Sequence, residues 1–100
     1  MAPQFPRYIW QNGRIVPGEN ATVHVLSHAL HYGSSVFEGI RVYHTPEGSR
    51  SFRQREHIQR LFNSAKIYHL RMPFTPQEIE VACNQAVLAN ELNAGAYVRP

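Results

Sequence analysis

Aspartate is absent from this 100-residue chain, and cysteine, lysine and tryptophan occur once each. A single thiol, Cys83, excludes an internal disulfide framework and fits a reducing, cytoplasmic compartment. The first ten residues hold one arginine and two prolines without an apolar core, so no secretory signal is legible. No run reaches the ~20 apolar residues of a membrane span, and a soluble chain is expected. Internal repeats, low-complexity tracts and linkers are missing too. The length suits one domain, or one piece of a larger protein, because domains typically run to roughly 100–150 residues. With 43% hydrophobic and 11% aromatic residues, a packed core rather than disorder is expected.

What the chain does hold is arginine. Ten Lys and Arg face seven Glu, for a net charge of +3, and all the cations but Lys66 are arginine. Arg50, Arg53, Arg55, Arg60 and Arg71 fall within one third of the chain. The planar guanidinium fork suits carboxylates and phosphates, so a small anionic ligand is one expectation. The other is nucleic acid, bound through Arg50 to Arg71 with Phe52 and Tyr68 as stacking groups. Nucleic-acid domains are usually more basic and richer in lysine, so a small anion suits the composition at least as well.

Strand signals come first and helix signals second. Asn12-Gly13 between Tyr8-Ile9-Trp10 and Arg14-Ile15-Val16 predicts an opening β-hairpin. From Ser35 to Tyr43 alternation predicts a strand, with Val36, Ile40 and Val42 on one face and Phe37, Gly39, Arg41 and Tyr43 on the other. Glu38 violates the apolar face, which marks either a buried partner or a local bulge. Thr45-Pro46-Glu47-Gly48 is a turn, and Arg50 to Arg53 reads as the returning strand. Ile58, Leu61, Phe62, Ala65 and His69 then recur at helical steps and predict a helix from about Gln54 to Tyr68. Thr75-Pro76-Gln77-Glu78 is a capping box, opening a second helix that ends near Leu92. Asn93-Ala94-Gly95 breaks it, and Ala96 to Arg99 reads as a final strand.

His24, His28 and His31 have the spacing of a helical metal face, but no acid or thiol lies nearby to complete a shell. Val23, Val25, Leu26 and Leu30 interleave with them as packing residues, so structural histidines and no metal are expected. Cys83 sits on an apolar helical face without a histidine at hand, which predicts a buried thiol rather than a nucleophile. Lys66 sits within a helix where nothing local would desolvate it, and a solvated lysine is expected rather than a Schiff-base lysine. Arg60 points about 200° away from Ile58, off the apolar stripe, with His57 and Ser64 beside it. Tyr97 and Arg99 project to one side of an extended segment, a pairing found in carboxylate sites and in interface salt bridges alike.

The run Ser27-His28-Ala29-Leu30-His31-Tyr32-Gly33-Ser34-Ser35-Val36-Phe37-Glu38-Gly39-Ile40-Arg41 resembles the bacterial branched-chain amino acid aminotransferases of the class IV pyridoxal-phosphate family. The likeness starts at Tyr8-Ile9-Trp10. It continues through Phe52-Arg53-Gln54-Arg55-Glu56-His57, Gln59-Arg60-Leu61, Ser64-Ala65-Lys66-Ile67-Tyr68 and Ala96-Tyr97-Val98-Arg99-Pro100. D-amino acid transaminases and aminodeoxychorismate lyases of the same fold carry a visibly different segment in place of His31 to Gly39.

The resemblance implies an α+β fold. Residues 1–100 would be a small N-terminal domain with an antiparallel sheet and two helices. The Schiff-base lysine and most of the cofactor cup would lie in a large domain beyond Pro100, leaving this chain inactive alone. The implied reaction moves an amino group between leucine, isoleucine or valine and 2-oxoglutarate, giving the 2-keto acids and glutamate, on pyridoxal 5'-phosphate. By position within the matching motifs, Arg60 is the implied cofactor-phosphate arginine. Tyr32, Phe37, Arg41, Tyr97 and Arg99 are implied to line the substrate pocket. A homo-oligomer in the cytoplasm, without nucleic acid, membrane or metal, completes the expectation. A related class IV transaminase acting on D-amino acids or amines is the nearest alternative.

Overall fold

A computed structural model describes residues 6–92 and 94–100. The chain opens as the predicted hairpin, with β1 (Tyr8–Gln11) antiparallel to β2 (Arg14–Pro17) and Gln11 opposite Arg14. Asn12 and Gly13 both take positive φ, 51° and 100°, which matches the turn twist to that of the strands. A 3-10 turn at Gly18–Asn20 and a five-residue helix α1 (His28–Tyr32) lead to β3 (Ile40–Thr45). The strand β4 (Gly48–Ser51), the helices α2 (Gln54–Ile67) and α3 (Pro76–Ala89), and β5 (Ala96–Val98) complete the order. The fold is α+β, as expected, but with two antiparallel sheets instead of one: β1-β2 and β4-β3-β5. A short third helix, α1, joins the expected pair.

The capping box at α3 forms fully. Glu78 N–H donates to Thr75 Oγ1 at 3.1 Å, and Thr75 N–H donates to Glu78 Oε1 at 2.9 Å. Asn90, just past α3, ties the hairpin to this helix by taking Tyr8 N–H on Oδ1 and donating Nδ2–H to Tyr8 O, each at 2.9 Å. Ile40, Ile58, Leu61, Ile79 and Cys83 form the core between β3, α2 and α3, with Trp10, Val36, Phe62, Met72, Phe74 and Val98 packed around them. The Trp10 ring meets Phe74 edge-on at 5.0 Å, so the hairpin closes one end of this core.

Five expectations need correction. The strand predicted from Ser35 begins at Ile40, because β5 supplies ladder partners only to Ile40, Arg41 and Val42. One further bond, Glu38 N–H to Pro100 O at 3.0 Å, is the last rung. The returning strand ends at Ser51 rather than Arg53, since Arg53 turns left-handed (φ 56°) to enter α2. The helix expected to reach near Leu92 stops at Ala89, and His69, placed on the apolar stripe of α2, is exposed beyond its end with φ 56°. Val23, Val25, Leu26 and Leu30, expected to pack, are 61–68% exposed, because no described element lies over them. Asn93, part of the predicted helix break, lies outside the described residues.

Candidate functional site

The alternation read from sequence puts Ile40 and Val42 into the core, and this forces Arg41 and Tyr43 onto the outer face of the three-stranded sheet. Antiparallel register then sets Arg41 directly opposite Tyr97. Arg99 continues β5 and lays its guanidinium over the Phe37 ring, 4.5 Å from the centroid. Four of the five predicted substrate residues thus share one open face, on which Phe37 and Tyr97 are 61% and 60% exposed. Among the described residues neither Arg41 nor Arg99 has a carboxylate partner, so both guanidiniums keep their capacity for an anionic ligand. Gly39 belongs to this face, as the alternation predicts, although nothing in the sequence gives a reason for a glycine there. A Cβ there would overlap the Tyr97 hydroxyl, so the absent side chain is what lets the Tyr97 ring lie across the backbone.

Beneath the rim lies the carboxylate that broke the apolar pattern. Glu38 is 7% exposed, and what explains it is a pair of ionic partners, of which Arg60 is itself largely exposed, rather than a bulge. Arg60 donates from Nε to Oε2 and from Nη2 to Oε1, both at 2.7 Å, a two-pronged ion pair. His57, one α2 turn earlier, lies with Nδ1 3.0 Å from Oε1. The Arg60 bonds outweigh the opposing effect of burial and, with His57, hold the Glu38 carboxyl down at about 2 from an ordinary 4.5. An ionised carboxylate only accepts, so Nδ1 of His57 carries the proton it shares. Arg60 itself is two-thirds exposed, and its Nη1 makes no bond among the described residues.

Tyr32 does not join the sheet face. It lies on α1, exposed, with its ring edge-on to His28 at 5.4 Å. His28 and His31 share α1 but His24 precedes it and accepts Leu26 N–H on Nδ1 at 3.0 Å, so the histidine spacing is not one helical face. Within the arginine run, Arg50 pairs with Glu47 at 3.7 Å, Arg53 with Glu56 at 4.0 Å and Arg55 with Glu80 at 3.2 Å. A groove of about 360 Å³ between α2 and α3, lined by Arg55, Gln59 and Glu80 among others, contains none of the predicted site residues. Cys83 is buried, and burial, with Glu80 nearby, pushes its thiol up to about 11, which keeps it protonated and unreactive. Lys66 is exposed in the last turn of α2. No helix among the described residues is long and apolar enough to cross a membrane.

The chain as a whole resembles known proteins. Residues 35–100 match the model of the amino-transferase class IV family. The branched-chain-amino-acid aminotransferase of Escherichia coli is 53% identical over 93 residues, which are 93% of this chain and 30% of that protein. Two solved structures superpose closely. The T.th. branched-chain amino acid aminotransferase complexed with N-(5'-phosphopyridoxyl)-L-glutamate has a TM-score of 0.89 at 50% identity, over 92% of this chain and 30% of that one. The enzyme of Thermoproteus uzoniensis with norvaline has a TM-score of 0.88 at 44% identity, over 92% and 31%. This chain therefore spans about 30% of the length of the relatives it matches. The sheet face and the Glu38–Arg60 pair accordingly belong to a member of the class IV amino-transferase family.

Proposed function

We propose that the protein is a pyridoxal-phosphate-dependent branched-chain amino acid transaminase, with residues 1–100 as its small N-terminal domain. It exchanges amino groups between leucine, isoleucine or valine and 2-oxoglutarate. The observation that carries this reading is the open sheet face, where Arg41 opposes Tyr97 and Arg99 lies over Phe37. A transaminase of this class must take both an aliphatic amino acid and glutamate in one site. Phe37 and the Tyr97 ring offer apolar contact to a branched side chain, while the unpaired Arg41 and Arg99 offer forks to the α-carboxylate and to the second carboxylate of glutamate. Tyr32, from α1, is assigned to the same pocket on the strength of its motif.

Arg60 fits the cofactor phosphate on the structure's own terms. Its charge is permanent, its side chain is two-thirds exposed, and Nη1 remains for a second anion after Glu38 has taken Nε and Nη2. Bound pyridoxal phosphate supplies the electron sink for the reaction, and the protein's part is to hold the substrate and exclude water. In this domain Arg41 and Arg99 fix the carboxylates and the rings of Phe37 and Tyr97 shield the substrate. The only lysine, Lys66, has no part in this, so the reactive lysine is assigned to a large domain following this one. The same reading makes it a cytoplasmic homo-oligomer.

A substrate panel on the full-length enzyme tests the assignment. Transamination of L-leucine, L-isoleucine and L-valine with 2-oxoglutarate is expected, well above D-amino acids and primary amines. Preference for a D-amino acid or an amine would move the protein to another branch of the class IV family.

A further inference from the structure

The Glu38–Arg60 pair is lopsided. Its acid is 7% exposed and its base 67%. Burying a carboxylate is costly, and an ion pair kept for stability alone is often matched by apolar residues of the same volume. The geometry has a more specific consequence. Both oxygens of Glu38 are committed to Arg60 at 2.7 Å, and Oε1 is held additionally by His57 at 3.0 Å, so the carboxylate has little freedom to rotate. The two bonds reach Nε and Nη2, one edge of the fork, which fixes the guanidinium plane and leaves Nη1 unused.

We infer that Glu38, held in place by His57, is a positioning residue: it orients Arg60 so that the free Nη1 edge receives the phosphate of the cofactor. The inference rests on the cofactor reading above. Charge alone gives the opposite sign, because a carboxylate beside a phosphate repels it and its removal would tighten anion binding. Orientation and repulsion therefore predict affinity changes in opposite directions, and the sign decides between them.

The experiment titrates the apo form of the full-length enzyme with pyridoxal phosphate and, separately, with pyridoxal, followed by the cofactor's absorbance. Glu38→Gln is expected to weaken pyridoxal phosphate binding roughly tenfold, the low end of the range for groups that orient a ligand-holding side chain. Pyridoxal binding stays at the wild-type value. In an Arg60→Ala background Glu38→Gln adds nothing further, as expected of a residue acting through Arg60. Unchanged or tighter binding of pyridoxal phosphate overturns the inference, and so does an equal loss for both ligands, which marks general disruption. Where Glu38→Gln does not fold, Glu38→Asp, too short to span both donors, is read by the same criteria. If Arg60→Ala binds pyridoxal phosphate as tightly as wild type, the assignment of Arg60 fails and the inference with it. A clear Arg60→Ala loss beside a silent Glu38→Gln overturns the inference alone.

Discussion

Glu38 shows how one residue joins stability to the site. Its carboxyl sits at about 2, below an ordinary 4.5, chiefly because of the Arg60 hydrogen bonds. A carboxyl lowered on folding contributes stability above 4.5, and that contribution is lost as pH falls from 4.5 towards 2. Thermal melts of wild type and Glu38→Gln should therefore differ most at neutral pH and converge through that acid window. A gap that stays constant down to pH 2 contradicts the pairing. Gly39 carries a second expectation. The atoms a Cβ would meet are the outer end of an exposed tyrosine, which is able to swing aside, and the φ of Gly39 is not in the left-handed region. Gly39→Ala should therefore cost less than about 1 kcal/mol of stability while displacing Tyr97 and lowering kcat/KM. A large drop in melting temperature with full activity is the contrary result. At this scale the sequence was informative about Glu38, a lone acid on an apolar face, and put Gly39 on its correct face without showing why it is glycine, which depends on a ring brought over it by strand pairing.

At the scale of elements, signals that act within a few residues were legible. Asn12-Gly13 turned the hairpin, and Thr75 with Glu78 capped α3 as their types require. Thr75→Ala removes an acceptor from the Glu78 N–H and should cost about 1 kcal/mol, read from chemical denaturation. No loss would mean that water replaces the cap without penalty. Signals that depend on a distant partner were less legible. Alternation placed residues 36–42 on their correct faces, yet residues 35–39 are not strand, since β5 pairs only as far as Ile40 with one further bond at Glu38. The apolar residues of 23–30 announced packing, and their sequence holds no information about what covers them. The pairing of Arg55 was equally hidden, because it reaches Glu80 on a different helix.

Across the whole molecule, α2 and α3, with the hairpin closing one end, cover one face of a three-stranded sheet, and the other face carries the exposed arginines and aromatics. Covering the first face with a core and leaving the second open suits the proposed role of the domain as one wall of a larger site. The residues proposed for that wall were assigned through a motif, whereas the meeting of Phe37, Arg41, Tyr97 and Arg99 on one face required the β3–β5 register and the stacking of Arg99 on Phe37. The direct test is steady-state kinetics of the full-length enzyme carrying Arg41→Ala or Arg99→Ala, with leucine and with glutamate, and with the cofactor's visible absorbance as control. Losing a guanidinium from a water-excluding site leaves a substrate carboxylate unpaired, so kcat/KM should fall about a hundredfold while the cofactor is retained. Unchanged kcat/KM for both substrates in both variants would contradict the assignment of this face to substrate.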